Sequence, residues 1–334
     1  MKLSELGEFG LIDILARDLI HNPAGVVKGV GDDTAVLEVS EDTWLLFTTD
    51  MMVEGVHFSL EYSAFYQVGW KALAVNLSDI AAMGGRPSHA LVSIAVPPEL
   101  DSREMLEFYN GLKRAAKVYG VNIVGGDTVK NPDRLVVNVA MLGEVGAGKA
   151  VYRSGARPGD RVYVTGPLGT PAAGLYLFQN KSLSIPPETG DYCRRAHTMP
   201  NPRVKEGILL AGCGVSSMDD ISDGLASEMH EICSASGVGC LIKSKDVPID
   251  NRVRAVAGEA GIDPLEWALY GGEDLELVLT AAPGSEEKIL RETEKEGVKI
   301  YCVGEINSSG EVLVETQGGE ILPLPRGGYD HFKK

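Results

Sequence analysis

Small acidic residues recur along the chain beside glycines or hydroxyl side chains, next to apolar runs. The first two clusters are Gly31-Asp32-Asp33 and Thr48-Thr49-Asp50, and the second follows the apolar residues 44–47. Carboxylate and hydroxyl oxygens are the ligands that Mg²⁺ prefers, and bound Mg²⁺ keeps positions for water and phosphate. Taken alone, Thr48-Thr49-Asp50 is equally typical of a metal site and of a polar turn after a strand, because acidic residues are common in turns.

Four further acidic clusters change this balance. Each has an ordinary explanation as a helix cap, a turn or a solvated loop, but Asp79 interrupts the apolar run 72–83, where an unpaired buried carboxylate is costly. A salt bridge would satisfy Asp79 as well as a metal ion. Six clusters with few basic residues beside them favour several divalent cations, which would let an acidic protein hold a polyphosphate. The four are Ser78-Asp79, Gly125-Gly126-Asp127, Asp219-Asp220-Ile221-Ser222-Asp223 and Gly271-Gly272-Glu273-Asp274.

Composition limits the partners and the compartment. The 334 residues include 31 Lys and Arg against 47 Asp and Glu, a net charge of −16, which argues against nucleic acid as a partner. The five cysteines form no C-x-x-C motif and are typical of reduced thiols. The start of the chain lacks the apolar region of a signal peptide, and no apolar run reaches membrane length. We therefore expect a cytoplasmic protein without a membrane partner.

The elements that must position the acidic residues are both helices and strands, in both halves of the chain. Apolar periodicity predicts helices over 5–20 and 64–83, and strands over 44–50 and 121–124 that end at Asp50 and open into Gly125. The glycine-rich residues 146–148 predict a boundary between domains 1–146 and 147–334. This mixture predicts an α/β (α+β) fold.

One phosphate-binding motif is only apparent. Gly143 to Lys149 has the G-x-x-x-x-G-K spacing of a P-loop and follows a predicted strand. A P-loop continues with Ser or Thr and a helix, whereas Ala150 comes next and residues 151–159 do not have a helical pattern. The spacing is therefore interpreted as coincidental.

Taken together, the motifs resemble those of the thiamine-monophosphate kinase family, which shares a superfamily with aminoimidazole ribonucleotide synthetase and selenophosphate synthetase. The resemblance spans nearly the whole chain in order. The matching segments are Gly29-Val30-Gly31-Asp32-Asp33-Thr34-Ala35, Thr48-Thr49-Asp50, Gly55-Val56-His57-Phe58, residues 71–79, Gly125-Gly126-Asp127-Thr128, Arg153-Ser154-Gly155-Ala156, Ile221-Ser222-Asp223-Gly224-Leu225, Gly271-Gly272-Glu273-Asp274 and Gly328-Tyr329-Asp330-His331-Phe332.

The resemblance implies an aminoimidazole-ribonucleotide-synthetase-like fold of two domains. The N-terminal domain (1–146) would bind Mg²⁺ and ATP, and its sheet would pair with that of a second copy into a barrel, making a homodimer. The C-terminal α/β domain (147–334) would pack beside it. It also implies that ATP contacts Gly126, Asp127, Arg153 and Ser222. The implied ligands of several Mg²⁺ ions are Asp33, Thr48, Thr49, Asp50, Asp79, Asp127, Asp220 and Asp223.

The implied acceptor, thiamine monophosphate, would face His57 and Glu273. Arg326, which Gly327 separates from the terminal Gly328-Tyr329-Asp330, occupies the position where the family often has an aromatic residue near the thiamine rings. A phosphate monoester is already an oxyanion near neutral pH, so direct in-line transfer from ATP requires alignment and charge neutralisation rather than a general base. We therefore expect no catalytic acid or base among these residues.

Other functions remain open at this point. Another ATP-dependent synthetase of the superfamily would share the fold, although selenophosphate synthetases carry a reactive residue near the N-terminus and the first cysteine here is Cys193. A metal-dependent phosphatase or a non-catalytic nucleotide-binding protein would also need the acidic clusters. Phosphate release without an acceptor would identify the phosphatase, and absence of turnover would identify the binding protein.

Overall fold

The N-terminal half is built on a six-stranded sheet. The computed structural model describes residues 3–17, 19–329 and 331–332, so Asp330 of the terminal motif lies outside the described residues. The helices are α1 (Leu3–Leu15), α2 (Phe65–Ala82) and α3 (Ser102–Tyr119), and the strands are β1 (Val26–Lys28), β2 (Ala35–Glu38), β3 (Thr43–Val53), β4 (Arg86–Val96), β5 (Asn122–Lys130) and β6 (Val136–Gly146). The strand order is β1-β2-β3-β6-β4-β5, and only the β4–β5 pair is parallel.

The C-terminal half contains a second mixed sheet flanked by helices. Its strands are β7 (Arg161–Val164), β8 (Ser217–Ile221), β9 (Gly239–Lys243), β10 (Glu276–Ala281), β11 (Tyr301–Asn307), β12 (Val312–Glu315) and β13 (Ile321–Pro323), in the order β13-β12-β9-β11-β7-β10-β8. Its helices are α4 (Thr170–Gln179), α5 (Pro187–Thr198), α6 (Val204–Cys213), α7 (Leu225–Ser236), α8 (Asn251–Ala260), α9 (Pro264–Tyr270) and α10 (Glu286–Lys295). The predicted α/β (α+β) class is confirmed.

Helix α2 lies at the centre of the molecule and matches the predicted helix 64–83 to within one residue at each end. Its apolar residues Leu73, Leu77 and Ile80 are completely buried. Gly69 lets α3 approach closely, because a Cβ atom there would lie 1.9 Å from the carbonyl oxygen of Phe108. The helix also packs against α6 and β8 of the C-terminal half, so one element contacts both sheets.

Three predicted boundaries are wrong, and pairing or packing explains each. Strand β3 continues past Asp50 to Val53 because it pairs with β6 along its whole length. Strand β5 runs through Gly125-Gly126-Asp127 instead of ending before them, because it pairs with β4 up to Lys130. The helix predicted over 5–20 ends at Leu15, and Leu19 and Ile20 beyond it are more than half exposed, so no core holds that face in helical form.

The two faces of the N-terminal sheet differ. Leu46, Thr48 and Met52 of β3 are buried on the face that meets α2. The opposite face, called the outer face below, carries large apolar side chains that are 44–59% exposed: Phe47, Met51, Leu91, Val124 and Val129. None of the described helices is long and apolar enough to span a membrane.

Candidate active site

A cluster of carboxylates lies where the two halves of the chain meet. Asp33 follows the turn after β1, Asp50 lies on β3, Asp79 on α2, and Asp219 and Asp220 on β8. One carboxylate oxygen from each of Asp33, Asp219 and Asp220 lies within 4.8 Å of the other two. These positions are separated by up to 187 residues in sequence, so only the packing of α2 and β8 against the first sheet brings them together.

Asp50 and Asp79 form the N-terminal side of the cluster. Thr48 Oγ1 donates a hydrogen bond to Asp79 Oδ2, and the side chain of Asp50 also hydrogen-bonds to Asp79. Burial raises the pKa of Asp50 to about 6. Burial, and then the charges of Asp50, Asp220 and Asp33, raise the pKa of Asp79 well above its usual range. The carboxylates therefore repel one another when all are ionised.

Asp219 and Asp220 of β8 form the C-terminal side, and Asp223 follows that strand. Ser78 Oγ on α2 donates to Asp220 Oδ2 at 2.5 Å, and burial followed by the charge of Asp33 raises the pKa of Asp220 to about 8. Burial also raises the pKa of Asp223 to about 6. Just after it, Glu228 of α7 is buried and accepts a hydrogen bond from the Asp223 backbone N–H at 2.9 Å.

Arg153 is the main counter-charge of this cluster. Its guanidinium lies 2.5 Å from Asp33 Oδ1, 3.1 Å from Asp219 Oδ1 and 3.7 Å from Glu231 Oε2. Its backbone N–H donates to Asp32 Oδ1 at 3.0 Å, which fixes the segment after the domain linker against the Gly31-Asp32-Asp33 turn. Burial lowers the pKa of Arg153, but Asp219 and Asp33 outweigh it and raise the pKa above its usual value.

The residues present fit a divalent cation. Asp33 Oδ2 and Asp219 Oδ2 are buried and have no hydrogen-bond partner, although Arg153 holds the other oxygen of each carboxylate. A single guanidinium does not neutralise five carboxylates, and buried unpaired charge is costly. An all-oxygen set of carboxylates and hydroxyls is the donor chemistry that Mg²⁺ prefers.

Burial of these carboxylates, followed by repulsion from neighbouring acidic groups, predicts how pH affects the metal-free protein. Asp50, Asp220 and Asp223 have pKa values of about 6, 8 and 6 in the fold against an ordinary value of 3.8. Between these values the folded protein keeps protons that the unfolded chain has released, so its free energy of unfolding should fall as pH rises from about 4 to about 8. Urea unfolding in EDTA at several pH values measures this slope. Saturating Mg²⁺ should flatten it, and a stability that rises with pH in EDTA would contradict the assignment.

A second polar group surrounds Glu273, which lies between α9 and β10. Its carboxylate is 2.5 Å from Lys71 Nζ on α2 and 2.9 Å from His197 Nδ1 on α5. Burial alone would raise the pKa of Glu273, but Lys71 and His197 outweigh it and lower the pKa to about 2. The backbone of Glu273 has φ of 73°, a left-handed conformation that non-glycine residues rarely adopt. Glu273 is therefore an ionised carboxylate held in one place.

His57 lies close to this group. The Val53 backbone N–H donates to His57 Nδ1 at 3.0 Å, so the neutral ring carries its proton on Nε2. Burial, followed by the nearby His331, lowers the pKa of His57. The His331 ring centroid is 5.0 Å from that of His57, which brings the C-terminal segment beside this residue.

Some predicted site residues lie apart from the carboxylate cluster in a single chain. Thr49 alternates to the outer face, where its hydroxyl donates to the Val139 carbonyl at 3.1 Å. Gly126 pairs with Val92, Val92 with Val139, and Val139 with Asp50, so Gly126 lies three strands away from Asp50 in the sheet. At the usual strand spacing the two residues are about 14 Å apart. Asp127, the next residue, pairs with Ser93 and shares the outer face with Thr49.

Ser222 and Arg326 lie beside the cluster with other partners. The Ser222 carbonyl accepts from the Glu273 backbone N–H at 2.6 Å, so it links the cluster to the second polar group. The Arg326 guanidinium lies 3.8 Å from the centre of the Phe9 ring and pairs with Glu231, which also faces Arg153. Arg326 therefore packs against an aromatic ring of this chain's own helix α1.

Sequence reasoning assigned no role to several residues that the structure brings to these two groups. Lys71 and Glu228 could have been identified from the sequence, because each is a charged residue at a helical position that the apolar pattern assigns to the buried face. Asp219 lies in a recognised acidic cluster. Nothing in the local sequence singles out His197 or Glu231.

The chain is similar to known proteins along nearly its whole length. Models of the N-terminal and C-terminal domains of AIR synthase related proteins match residues 31–145 and 157–316. The thiamine-monophosphate kinase of Bacillus subtilis (strain 168) is 39% identical over 336 residues, 98% of this chain and 100% of that protein. The enzyme of Escherichia coli (strain K12) is 36% identical over 327 residues, 98% of each chain.

Solved structures give the same result. The structure of AaThiL complexed with AMPPCP and TMP matches this chain with a TM-score of 0.86 and 34% identity, covering 99% of both chains. The two-domain fold predicted from the sequence is therefore confirmed. The chain belongs to the thiamine-monophosphate kinase family of AIR-synthase-related proteins.

Proposed function

We propose that the protein transfers the terminal phosphoryl group of ATP directly to thiamine monophosphate, giving thiamine diphosphate and ADP. The observation that carries the proposal is the cluster of mutually repelling carboxylates around Arg153, next to the separate polar group at Glu273 and His57. One group suits a metal-bound polyphosphate, and the other, which the hydrogen bond from the Glu273 backbone N–H to the Ser222 carbonyl joins to it, would hold the acceptor. The family relationship gives the identity of that acceptor.

The chain's own residues supply alignment and charge. Arg153 and Ser222 would contact ATP, while His57, Glu273 and Arg326 would contact the acceptor. The acceptor phosphate is already an anion, so no side chain needs to remove a proton, and attack can be direct and in line. Bound Mg²⁺ would neutralise the charge between the two anionic substrates. Its proposed ligands are Asp33, Thr48, Thr49, Asp50, Asp79, Asp127, Asp220 and Asp223.

A homodimer would complete this site. Thr49, Gly126 and Asp127 lie on or beside the exposed apolar outer face, away from the cluster of their own chain. Pairing of two outer faces would bury these apolar side chains, in agreement with the proposed barrel. Pairing would also bring Gly126 and Asp127 of β5 towards the second copy, where Gly126 could contact ATP and Asp127 could bind Mg²⁺. The proposed domain limits, 1–146 and 147–334, assign this face to the N-terminal domain.

A charge on the outer face should separate the dimer. Leu91→Asp is expected to give a monomer in analytical ultracentrifugation and to lower kcat at least tenfold, because a carboxylate in a buried apolar interface is costly. Leu106→Asp is the matched control, since Leu106 is 60% exposed on α3, outside the outer face. A Leu91→Asp protein that stays dimeric would contradict the assigned interface.

We also propose a cytoplasmic location. The co-substrate is ATP, and the five cysteines are free thiols, as is usual in a reducing compartment.

Phosphorus NMR with ATP, Mg²⁺ and a panel of phosphate monoesters tests the reaction itself. Thiamine monophosphate should be converted to the diphosphate with one ADP formed for each product. Phosphate release without an acceptor would point to a phosphatase, and transfer to a different acceptor would point to another synthetase of the superfamily. Binding of ATP without any turnover would leave only a nucleotide-binding protein.

A further inference from the structure

Helix α2 carries polar contacts from the N-terminal half to the C-terminal half. Trp70 Nε1 donates to the Pro200 carbonyl at 2.7 Å, Lys71 Nζ lies 2.5 Å from Glu273 Oε1, and Ser78 Oγ donates to Asp220 at 2.5 Å. Their partners come from the segment after α5, the segment before β10, and β8. One rigid helix therefore contacts both the carboxylate cluster and the group around Glu273.

The spacing of two of these contacts is fixed by helix geometry. Lys71 and Ser78 are seven residues apart, which places them on the same helical face with a separation of about 10 Å along the axis. Lys71 marks the Glu273 end of this face and Ser78 marks the Asp220 end. The helix interior between them is packed tightly, with Leu73 and Leu77 completely buried. The separation of the two ends therefore cannot change without disturbing the core.

Lys71 is unusually well enclosed for a lysine. Its side chain is 3% exposed, and the ammonium donates to the His57 carbonyl at 3.1 Å as well as facing Glu273. On the other side, His197 holds the second oxygen of Glu273, and the side chain of His197 is 5% exposed. Both carboxylate oxygens of Glu273 are thus fixed by groups that are themselves buried.

The backbone at Glu273 is strained in the same place. Its φ of 73° and that of Leu275, 49°, are left-handed, and such conformations are strained in residues other than glycine. Contacts on both sides are needed to hold a segment in this form. The Glu273 backbone N–H donates to the Ser222 carbonyl at 2.6 Å, and the side chain is held by Lys71.

We infer that Lys71 is a positioning residue, which uses helix α2 to set the distance between the acceptor-binding Glu273 and the carboxylate cluster. The inference rests on the proposed function. A reaction without a general base depends on the alignment of donor and acceptor phosphates, and a misplacement of 1 Å can cost about 10²-fold in rate. Lys71 also contacts the His57 backbone carbonyl, so it fixes two of the three residues proposed to contact the acceptor.

The alternative is that Lys71 and Glu273 form a purely structural ion pair. Variants in which these charged side chains are replaced by neutral ones distinguish this alternative from a positioning role. Lys71→Met leaves the partly buried Glu273 carboxylate without its main counter-charge and should lower stability, because partial burial disfavours an ionised group that has lost its cation. Lys71→Met combined with Glu273→Gln removes both charges, so the double variant should recover stability and remain foldable. Glu273→Gln alone keeps a side chain that accepts a hydrogen bond from Lys71, so it retains the link to α2.

The deciding measurement is steady-state kinetics of the full-length protein with thiamine monophosphate and ATP. If Lys71 positions Glu273, the double variant should show kcat/KM for thiamine monophosphate at least tenfold below that of Glu273→Gln, with KM for ATP unchanged within twofold. Lys113→Met is the matched control, because Lys113 is exposed on α3 and should change neither value.

Each outcome decides one question. A double variant with the kinetics of Glu273→Gln would overturn the positioning role and leave a structural ion pair. An equal increase of both KM values would also overturn it, because it would show general disturbance of the site. If the unaltered protein does not phosphorylate thiamine monophosphate, the proposed function fails, independently of Lys71.

Discussion

Asp50→Asn is expected to lower kcat for phosphoryl transfer by about 10³-fold while making the metal-free protein more stable. Loss of rate follows from removing a charge that is proposed to hold Mg²⁺, since electrostatic stabilisation of the transferring group is the main catalytic contribution in such reactions. The gain in stability follows from the cluster, where burial raises the pKa of Asp50 to about 6 and its charge also raises the pKa of Asp79.

The asparagine keeps the shape of the site. Its amide can donate to Asp79, so the hydrogen bond between the two side chains is retained while the repulsion is removed. Urea unfolding in EDTA at about pH 8, where Asp50 is ionised, measures the stability change. Unfolding with and without Mg²⁺ should show that the variant gains less from the metal.

Asp42→Asn is the matched control for Asp50→Asn. Asp42 is exposed just before β3, at the other end of the strand that carries Asp50, and its replacement should leave both kcat and stability unchanged. An Asp50→Asn protein that loses stability in EDTA would mean that Asp50 is structural. One that keeps full activity would remove it from the metal site.

The sequence predicts the chemistry of the site better than its geometry. Asp79 is recognisable as special because it is a carboxylate within an apolar helical pattern, and that helix is correct to one residue. Asp50 is predicted at a strand end but lies inside β3. The length of β3 depends on its pairing with β6, which begins at Val136, 86 residues after Asp50. Such pairing is not encoded in the local pattern.

Which side of a sheet a residue faces is equally non-local. Thr48, Thr49 and Asp50 are one motif in the sequence, but the two-residue period of a strand sends Thr49 to the outer face. Asp127 shares that face because of its register with β4. A sequence motif can therefore suggest one shared function for neighbouring residues, although their side chains lie on opposite faces of the sheet.

The partners of Glu273 illustrate the remaining limit. Lys71 and His197 lie 202 and 76 residues before it, and neither position has a local signal that names Glu273 as its partner. The left-handed backbone at Glu273 is also unexpected, because glycine is the usual residue for such a conformation and two glycines directly precede it. Ion pairs between distant segments depend on the packing of whole domains.

Arg153→Met is expected to be the most destabilising single change in the site. The Arg153 side chain is 18% exposed, whereas its partners Asp33 and Asp219 are 1% and 0% exposed. Removing one partner of a buried pair leaves uncompensated charge and typically costs about 3–5 kcal/mol. Transfer activity should also be lost, because Arg153 is the positively charged side chain proposed to contact ATP. Urea unfolding in EDTA measures the first effect, and the acceptor assay measures the second.

A second substitution separates the two roles of Arg153. Arg153→Met with Asp219→Asn removes one positive and one negative charge, so it should recover most of the stability but none of the activity. Arg157→Met is the control, since Arg157 is exposed on the same segment. If the double variant regained activity together with stability, Arg153 would serve only to neutralise Asp219. If the double variant regained stability but not activity, Arg153 would be needed to bind the nucleotide. Its pairing with the carboxylates would then serve only to hold the guanidinium in position.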